Sequence, residues 1–577
     1  MRLFSENRLW FAACAIVACV YVLTAPRIWQ CEGVDEVEYL GLAHSLVLGQ
    51  GFTLYGQPHV YYPPLFPAFL SVLMRFGVTA WHRMYVANAC LGIASFIMIG
   101  IWMRRAFGSV GRWASWLTLL SYYGWSFSVR YLMSEPLFAL FSFATFIVAW
   151  RVLQRNSGRM WEYALLGAGC LLCAMTRSAA VVATLALIAA GGIRWVTTRR
   201  PAGLAVAALA LLLGGGFFVA WGIVRPERVN PNATETHWRW AKKIMGLSKE
   251  TQGLVARNEG EGATAFDATY AGRLITYGVK YGQYVTSIVR LPRGAEPLAV
   301  MLFIVFLAGL IAHWRGCLWS PLAAYAILLS LLTSATKFVS NYTRILFSVG
   351  PFLFLFLVEG LQLLRDALRS QRGAGARIFC GVFGTLGLIW VVIGGAGAEA
   401  AGAERTYMQV VAAACVLCYV GLLALAIMPR LHRLADGLMP MLLVVYALHS
   451  AVLVAGRYRM VVANDVLRAR NLEGVVRCGR WLEQNSAASS RCVASVPRLV
   501  ALLAARRFDE PVYAPAGGLA VNYVNYVLLM GPLRAVPQFR ADRESALVEG
   551  VRPLEQSGRL DRVFEDGDAA VFRVKVN

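Results

Sequence analysis

The sequence predicts a polytopic α-helical membrane protein of about thirteen transmembrane helices, carrying a small α/β domain at its C-terminal end. Three observations predict it. The chain of 577 residues is 58% hydrophobic and only 15% charged, with a mean hydropathy of +0.56. A soluble chain carries about a quarter charged residues. The apolar residues fall in blocks of about 17 to 22, long enough to cross a bilayer as helices. Arginines gather in every second loop between those blocks.

The first block, residues 9–25, follows Arg8 and has no small-residue cleavage site after it. It is expected to be a retained helix that also directs insertion. Further spans are expected at 84–103, 113–129, 135–152, 161–175, 178–194, 203–223, 297–313, 318–335, 344–364, 378–397, 407–428 and 438–456. One set of loops holds Arg104, Arg105 and Arg112, then Arg151, Arg155 and Arg159, then Arg194, Arg199 and Arg200. Arg365, Arg369, Arg372, Arg377, Arg430 and Arg433 continue the series. The positive-inside rule puts these loops and the N-terminus in the cytoplasm of a cell's inner (plasma) membrane. An odd number of spans then places the C-terminus outside.

Residues 1–456 form the expected membrane domain and 457–577 the extracytoplasmic α/β domain. Within the latter, 465–485 has an amphipathic helix pattern, and short β-type runs follow at 491–496, 511–514 and 522–529. A last pair, 561–565 and 569–576, is joined by Asp566-Gly567, a hairpin signal. Most of the twelve cysteines lie inside apolar blocks as small helix-face residues. An extracytoplasmic location would allow Cys478 and Cys492 to pair.

The formal net charge of +23 does not make a nucleic-acid surface, because the arginines are spread between apolar blocks. There is no Walker loop, no Gly-rich nucleotide fingerprint, no His-Glu-x-x-His and no Gly-x-Ser-x-Gly. What remains is a set of acids and cations in the opposite loops. The first, about 26–83, contains Asp35, Glu36 and Glu38, then Tyr61-Tyr62-Pro63-Pro64, then an apolar stretch from Leu65 to Phe76 that is too short to span. Acids at the lip of a bilayer are costly and point to function. A hydroxyl nucleophile needs a base as it attacks, and Asp35 is the candidate, with Glu36 beside it. If 34–48 is helical, Tyr39 shares the face of Asp35. The plainer reading is a solvated helix start, where acids are favoured. Glu38 is expected on a solvated face, and His44, His59 and His82 as loop or interface residues.

Glu135 precedes Pro136 at a span start, which fits a second functional acid, a ligand to a divalent metal ion, or simple capping. Arg130, Arg177, Lys337 and Arg344 are cations suited to a phosphate, with Tyr342 next to the last of them. Lipid headgroups or nearby acids would occupy them equally well. Tyr62 belongs to a stiff turn and is either structural or part of a groove lining.

Taken in order, Asp35-Glu36, Tyr62-Pro63-Pro64-Leu65, Ser134-Glu135-Pro136-Leu137-Phe138 and Tyr342-Thr343-Arg344 resemble the membrane glycosyltransferases of the GT-C fold. The resemblance is to their family 39-like group, which includes protein O-mannosyltransferases and lipid A aminoarabinose transferases. The stretch Trp481 to Asn485 and Val493 to Arg498 resembles the soluble tail of bacterial members. The resemblance implies a polyprenyl-phosphate-linked sugar donor, an extracytoplasmic acceptor and inversion at the anomeric carbon. It implies Asp35 as the base, Glu135 as the second acid, and basic residues receiving the lipid phosphate. The chain departs from the lipid A type at Tyr62, where those members have Lys. Arg130, Arg177 or Arg344 would then take that task. A transporter or lipid flippase is the competing class. It would place charge at mid-membrane and show inverted repeats, whereas these charges sit at span ends.

Overall fold

The computed structural model describes residues 8–23, 25, 34–54, 57–59, 62–78, 81–120, 132–223, 296–335, 347–370, 374–395, 416–427, 477–482, 484–487, 491–494, 507–509, 526–529, 551–566 and 569–575. Helices dominate. They are α1 (Arg8–Leu23), α2 (Val34–Val47), α3 (Leu65–Arg75), α4 (Trp81–Ala106), α5 (Gly108–Leu120), α6 (Glu135–Arg155), α7 (Met160–Thr176) and α8 (Ala180–Thr198). Then α9 (Pro201–Leu209) runs through a π turn, Ala210–Gly215, into α10 (Gly216–Ile223). Beyond it lie α11 (Glu296–Gly316), α12 (Pro321–Ala335), α13 (Gly350–Arg369), α14 (Ala374–Gly395) and α15 (Val416–Ile427).

Four described helices are long and apolar enough to cross a membrane: His82–Ala106, Glu135–Arg155, Ala180–Thr198 and Pro201–Trp221. Leu204, Leu211, Leu212 and Val219 are 50–68% exposed. Such apolar side chains suit hydrocarbon as the surrounding medium. The expected span at 438–456 lies outside the described residues.

Local sequence sets the helix ends. Pro136, Pro201 and Pro351 stand in first turns, where a missing N–H costs nothing. Asn156 (φ 53°) and Arg199 (φ 55°) end α6 and α8 in the left-handed conformation. The Arg159 N–H donates to Glu162 Oε2 at 2.9 Å to start α7. Between the helices the packing is close. A Cβ on Gly309 of α11 would lie 1.9 Å from the Phe356 carbonyl oxygen of α13, and one on Gly360 equally near the Val305 oxygen. Small residues let membrane helices approach to this extent.

Alternate helices reverse direction, so the bundle has two ends of different chemistry. One end is rich in arginine. There Arg155 pairs with Glu162, Arg194 Nε donates to Asn156 Oδ1 at 2.7 Å, and the Arg194 guanidinium lies 4.5 Å from the centroid of the Trp319 ring. His313 meets Glu359 Oε1 through Nδ1 at 3.1 Å and Ser320 Oγ through Nε2 at 2.8 Å. Ser320 is wholly buried, and its hydroxyl oxygen also accepts the Ala323 N–H at 3.4 Å. This Ser–His–Glu line therefore pins the start of α12, and its serine is closed to substrate.

The other end carries α2, a short hairpin (β1, Thr53–Leu54; β2, Gln57–Pro58) and α3. Late in the chain, β3 (Arg491–Ala494), β4 (Arg507–Asp509), β5 (Tyr526–Leu529), β6 (Leu560–Asp566) and β7 (Ala569–Val574) form one sheet in the order β4-β3-β5-β7-β6. β3 runs parallel to β4 and β5, while β7 is antiparallel to β5 and β6. The hairpin expected at Asp566-Gly567 is the β6–β7 connection. The run at 511–514 lies outside the described residues, and β4 was not expected from the sequence, being a three-residue strand with two charged ends. Cys478 and Cys492 are both buried, in the same hydrophobic cluster.

Candidate active site

The helix expected from residue 34 is α2, and Asp35 and Glu36 lie in its first turn. Carboxylates are favoured there by the helix dipole. The helical period places Tyr39 one turn on from Asp35, as expected. Asp35 is half-buried, and its Oδ1 accepts the Tyr62 hydroxyl at 2.9 Å. Tyr62 is held by Pro63 and Pro64, which lead into α3. Its ring packs on Tyr39 with centroids 4.7 Å apart. Burial, then the charges of Asp35 and Glu38, push the Tyr62 phenol well above its ordinary range. The hydroxyl therefore stays a donor at any physiological pH.

The three acids of α2 separate in role. Asp35 keeps partial access. Glu36 is fully buried, with the Tyr85 hydroxyl of α4 donating to its Oε1. Glu38 is buried too and is hydrogen-bonded to Tyr62. The expectation of a solvated Glu38 is thus corrected. The α3 helix and the Tyr62 turn cover the side of α2 that period alone would assign to water.

Tyr39 joins α2 to the start of α6. Its hydroxyl lies 3.2 Å from Ser134 Oγ, and Ser134 directly precedes Glu135. Burial, followed by the charges of Asp35 and Glu135, raises the Tyr39 phenol above its ordinary range, while Arg177 acts the other way. Asp35, Glu135 and Arg177 are thus all close enough to act on this one ring. Glu135 Oε1 is 2.5 Å from Arg177 Nη1, with 2% and 18% of the side chains exposed. Arg177 ends α7 and Glu135 begins α6, so two antiparallel helices bring the pair to one end of the bundle.

The structure therefore gathers Asp35, Glu36, Tyr39, Tyr62, Glu135 and Arg177. Arg130, Lys337, Tyr342 and Arg344 lie outside the described residues. Among the described residues no three His, Cys, Asp or Glu side chains are grouped to hold a metal ion. Glu135 meets the Arg177 guanidinium instead of a second carboxylate among the described residues. Sequence reasoning missed Tyr85, which lies 49 positions from Glu36 and gives no periodic signal. It also missed Ser134 and His59. Tyr62 N–H donates to His59 Nε2 at 3.1 Å, so His59, a loop residue as expected, also contacts the site. Its three-residue spacing from Tyr62 was the available signal.

Five buried residues from late in the chain, Cys478, Leu482, Cys492, Tyr526 and Val571, share one hydrophobic cluster with Tyr39, Tyr62 and Phe66. The late sheet is thereby packed into the apolar support of the acidic end.

The chain has the GT-C fold. ArnT from Cupriavidus metallidurans in the apo state superposes with a TM-score of 0.53 at 14% identity, over 98% of both chains. The same protein bound to undecaprenyl phosphate gives 0.53 at 13% identity, again over 98% of both. The archaeal oligosaccharyltransferase AglB from Archaeoglobus fulgidus, in complex with an inhibitory peptide and a dolichol-phosphate, gives 0.46 at 13% identity, over 91% of this chain and 69% of that one. No protein-family model matches the chain, and no curated protein does.

Proposed function

We propose that the protein is an integral-membrane glycosyltransferase of the cell's inner membrane, with the acidic end facing outward. It moves a sugar from a polyprenyl-phosphate donor to an acceptor hydroxyl on a glycan, lipid or protein. The observation that carries this reading is the grouping of Asp35, held by Tyr62, with the Glu135–Arg177 pair around Tyr39. The GT-C fold supports it, as does the neighbour that binds undecaprenyl phosphate.

In this mechanism the acceptor oxygen attacks the anomeric carbon as the bond from that carbon to the phosphate oxygen breaks. Asp35 takes the acceptor proton. The polyprenyl phosphate leaves with an added negative charge. Arg177 is the described cation beside the acids, and its forked N–H groups suit that phosphate. Glu135 orients Arg177 and keeps it from pairing with Asp35. Attack opposite the leaving group inverts the centre.

The test uses purified protein in detergent or nanodiscs, a labelled polyprenyl-phosphate sugar, and membrane extract as the acceptor source. Asp35→Asn is expected to insert and fold normally and to lose transfer by about a thousandfold or more, the scale of a missing general base with its positioning. Transfer at the wild-type rate by that variant would falsify the role of Asp35.

A further inference from the structure

We propose that His59 is a positioning residue for Asp35, acting through Tyr62, and that protonation of its imidazole disengages the base. The inference rests on Asp35 being the base, as argued above.

Four observations carry it. The His59 N–H donates to the Phe52 carbonyl oxygen at 3.0 Å, which anchors the residue at the mouth of the β1–β2 hairpin. Its Nε2 accepts the Tyr62 backbone N–H at 3.1 Å. Its ring stacks on the Tyr62 ring, with centroids 5.3 Å apart and planes 19° apart. The Tyr62 hydroxyl in turn donates to Asp35. A backbone N–H can only donate, so Nε2 must present a lone pair. The bound form is the neutral imidazole with its proton on Nδ1.

A proton added to Nε2 would set two N–H groups against each other at hydrogen-bond distance. One of them must move. Pro63 and Pro64 follow Tyr62 directly, and their fixed φ angles leave the turn little freedom to absorb a displacement. The shift therefore passes to the Tyr62 ring and its hydroxyl. Among the described residues, the charged groups facing this unit are Asp35 and Glu38, from α2 across Tyr62. Tyr39 adds a neutral phenol. The hairpin's described strands contribute no charge, and α10 reaches Phe52 through the uncharged Trp221 ring. An extracytoplasmic enzyme meets the pH of its surroundings, so the device would slow transfer in acid.

The experiment is the pH profile of kcat, from about pH 5 to about pH 8, for the full-length protein and two variants. The wild type is expected to lose rate as the medium is acidified across that range. His59→Gln keeps an acceptor near Nε2 and cannot take a proton. It should hold neutral-pH kcat within about threefold and flatten the acid limb. His59→Phe keeps the stack and loses the acceptor. It should lower neutral-pH kcat about fivefold and show no His59 acid limb, so that the gap to the wild type closes in acid, with donor KM unchanged. A wild type without an acid limb, a Gln variant that retains it, or a Phe variant at full rate would each overturn the proposal. Should the Phe variant not fold, the ¹⁵N spectrum of labelled histidine decides: an Nε2–H tautomer at His59 also overturns it. Asp35→Asn is run alongside. If it is inactive while the His59 variants behave like the wild type, only the His59 proposal fails; if it is active, the base assignment itself fails.

Discussion

The Glu135–Arg177 pair offers the sharpest test of how this site is held together. Glu135 is 2% exposed and Arg177 18%, so each charge depends on the other more than on solvent. Removing one member of such a pair costs about 3–5 kcal/mol, because the other is left buried and uncompensated. Arg177→Met leaves the Glu135 carboxylate beside Tyr39, on a ring already subject to the charge of Asp35. It should cost about 3 kcal/mol or more. Glu135→Leu should cost less, about 1–3 kcal/mol, because the longer Arg177 side chain can turn its head toward water. The double variant Glu135→Leu with Arg177→Met removes both charges and fills similar volume. It should return to within about 1 kcal/mol of the wild type. The coupling is then at least about 3 kcal/mol, read from reversible unfolding in mixed micelles as a double-mutant cycle. Single losses that add within about 0.5 kcal/mol would refute the reasoning. The same double variant separates folding from chemistry: it should be stable and inactive, since the leaving phosphate has lost Arg177.

Further outcomes follow from the geometry. Tyr62→Phe keeps the stacks with Tyr39 and His59 but loses the donor to half-buried Asp35. At about 1–2 kcal/mol for that bond, kcat should fall about 5- to 30-fold with little change in thermal midpoint; an unaltered kcat would dismiss Tyr62 as a positioning group. Gly309→Ala places a methyl against the Phe356 carbonyl oxygen, which a backbone cannot easily yield, and should cost about 1–3 kcal/mol. Gly192→Ala, with open space around it, is the neutral control in the same unfolding assay. Tyr39 and Tyr62 hold their phenolic protons more tightly when folded than when unfolded. Their contribution is complete below the ordinary tyrosine value near 10 and is lost as pH rises above it. The thermal midpoint should therefore drop between about pH 9 and about pH 11, and drop less in Tyr62→Phe.

Much of the site was legible because its parts follow local rules. The α2 helix could be read from residue 34, and with it the shared face of Asp35 and Tyr39. Pro63-Pro64 announced a stiff turn, and Pro136 announced a helix start beside Glu135. The misjudgements concern coverage. Glu38 falls on a face that period assigns to water, yet the Tyr62 turn covers it. His59 is the loop residue expected, but no local pattern says that its ring will meet a backbone N–H three residues on. The partner of Glu36 is Tyr85, on another helix altogether.

The sequence by itself determined that the chain is a membrane bundle, which end of each span carries arginine, and that Asp35 and Glu135 fall at the opposite end. Hydropathy and charge act through the bilayer, whatever the neighbouring helix is. Only the tertiary structure decided which acid remains accessible, which cation meets Glu135, and that Tyr39 sits among all three charged groups. Those choices depend on distances of a few ångströms between segments far apart in the chain. Such distances come from helix packing around close contacts like Gly309 on Phe356, which no local pattern encodes.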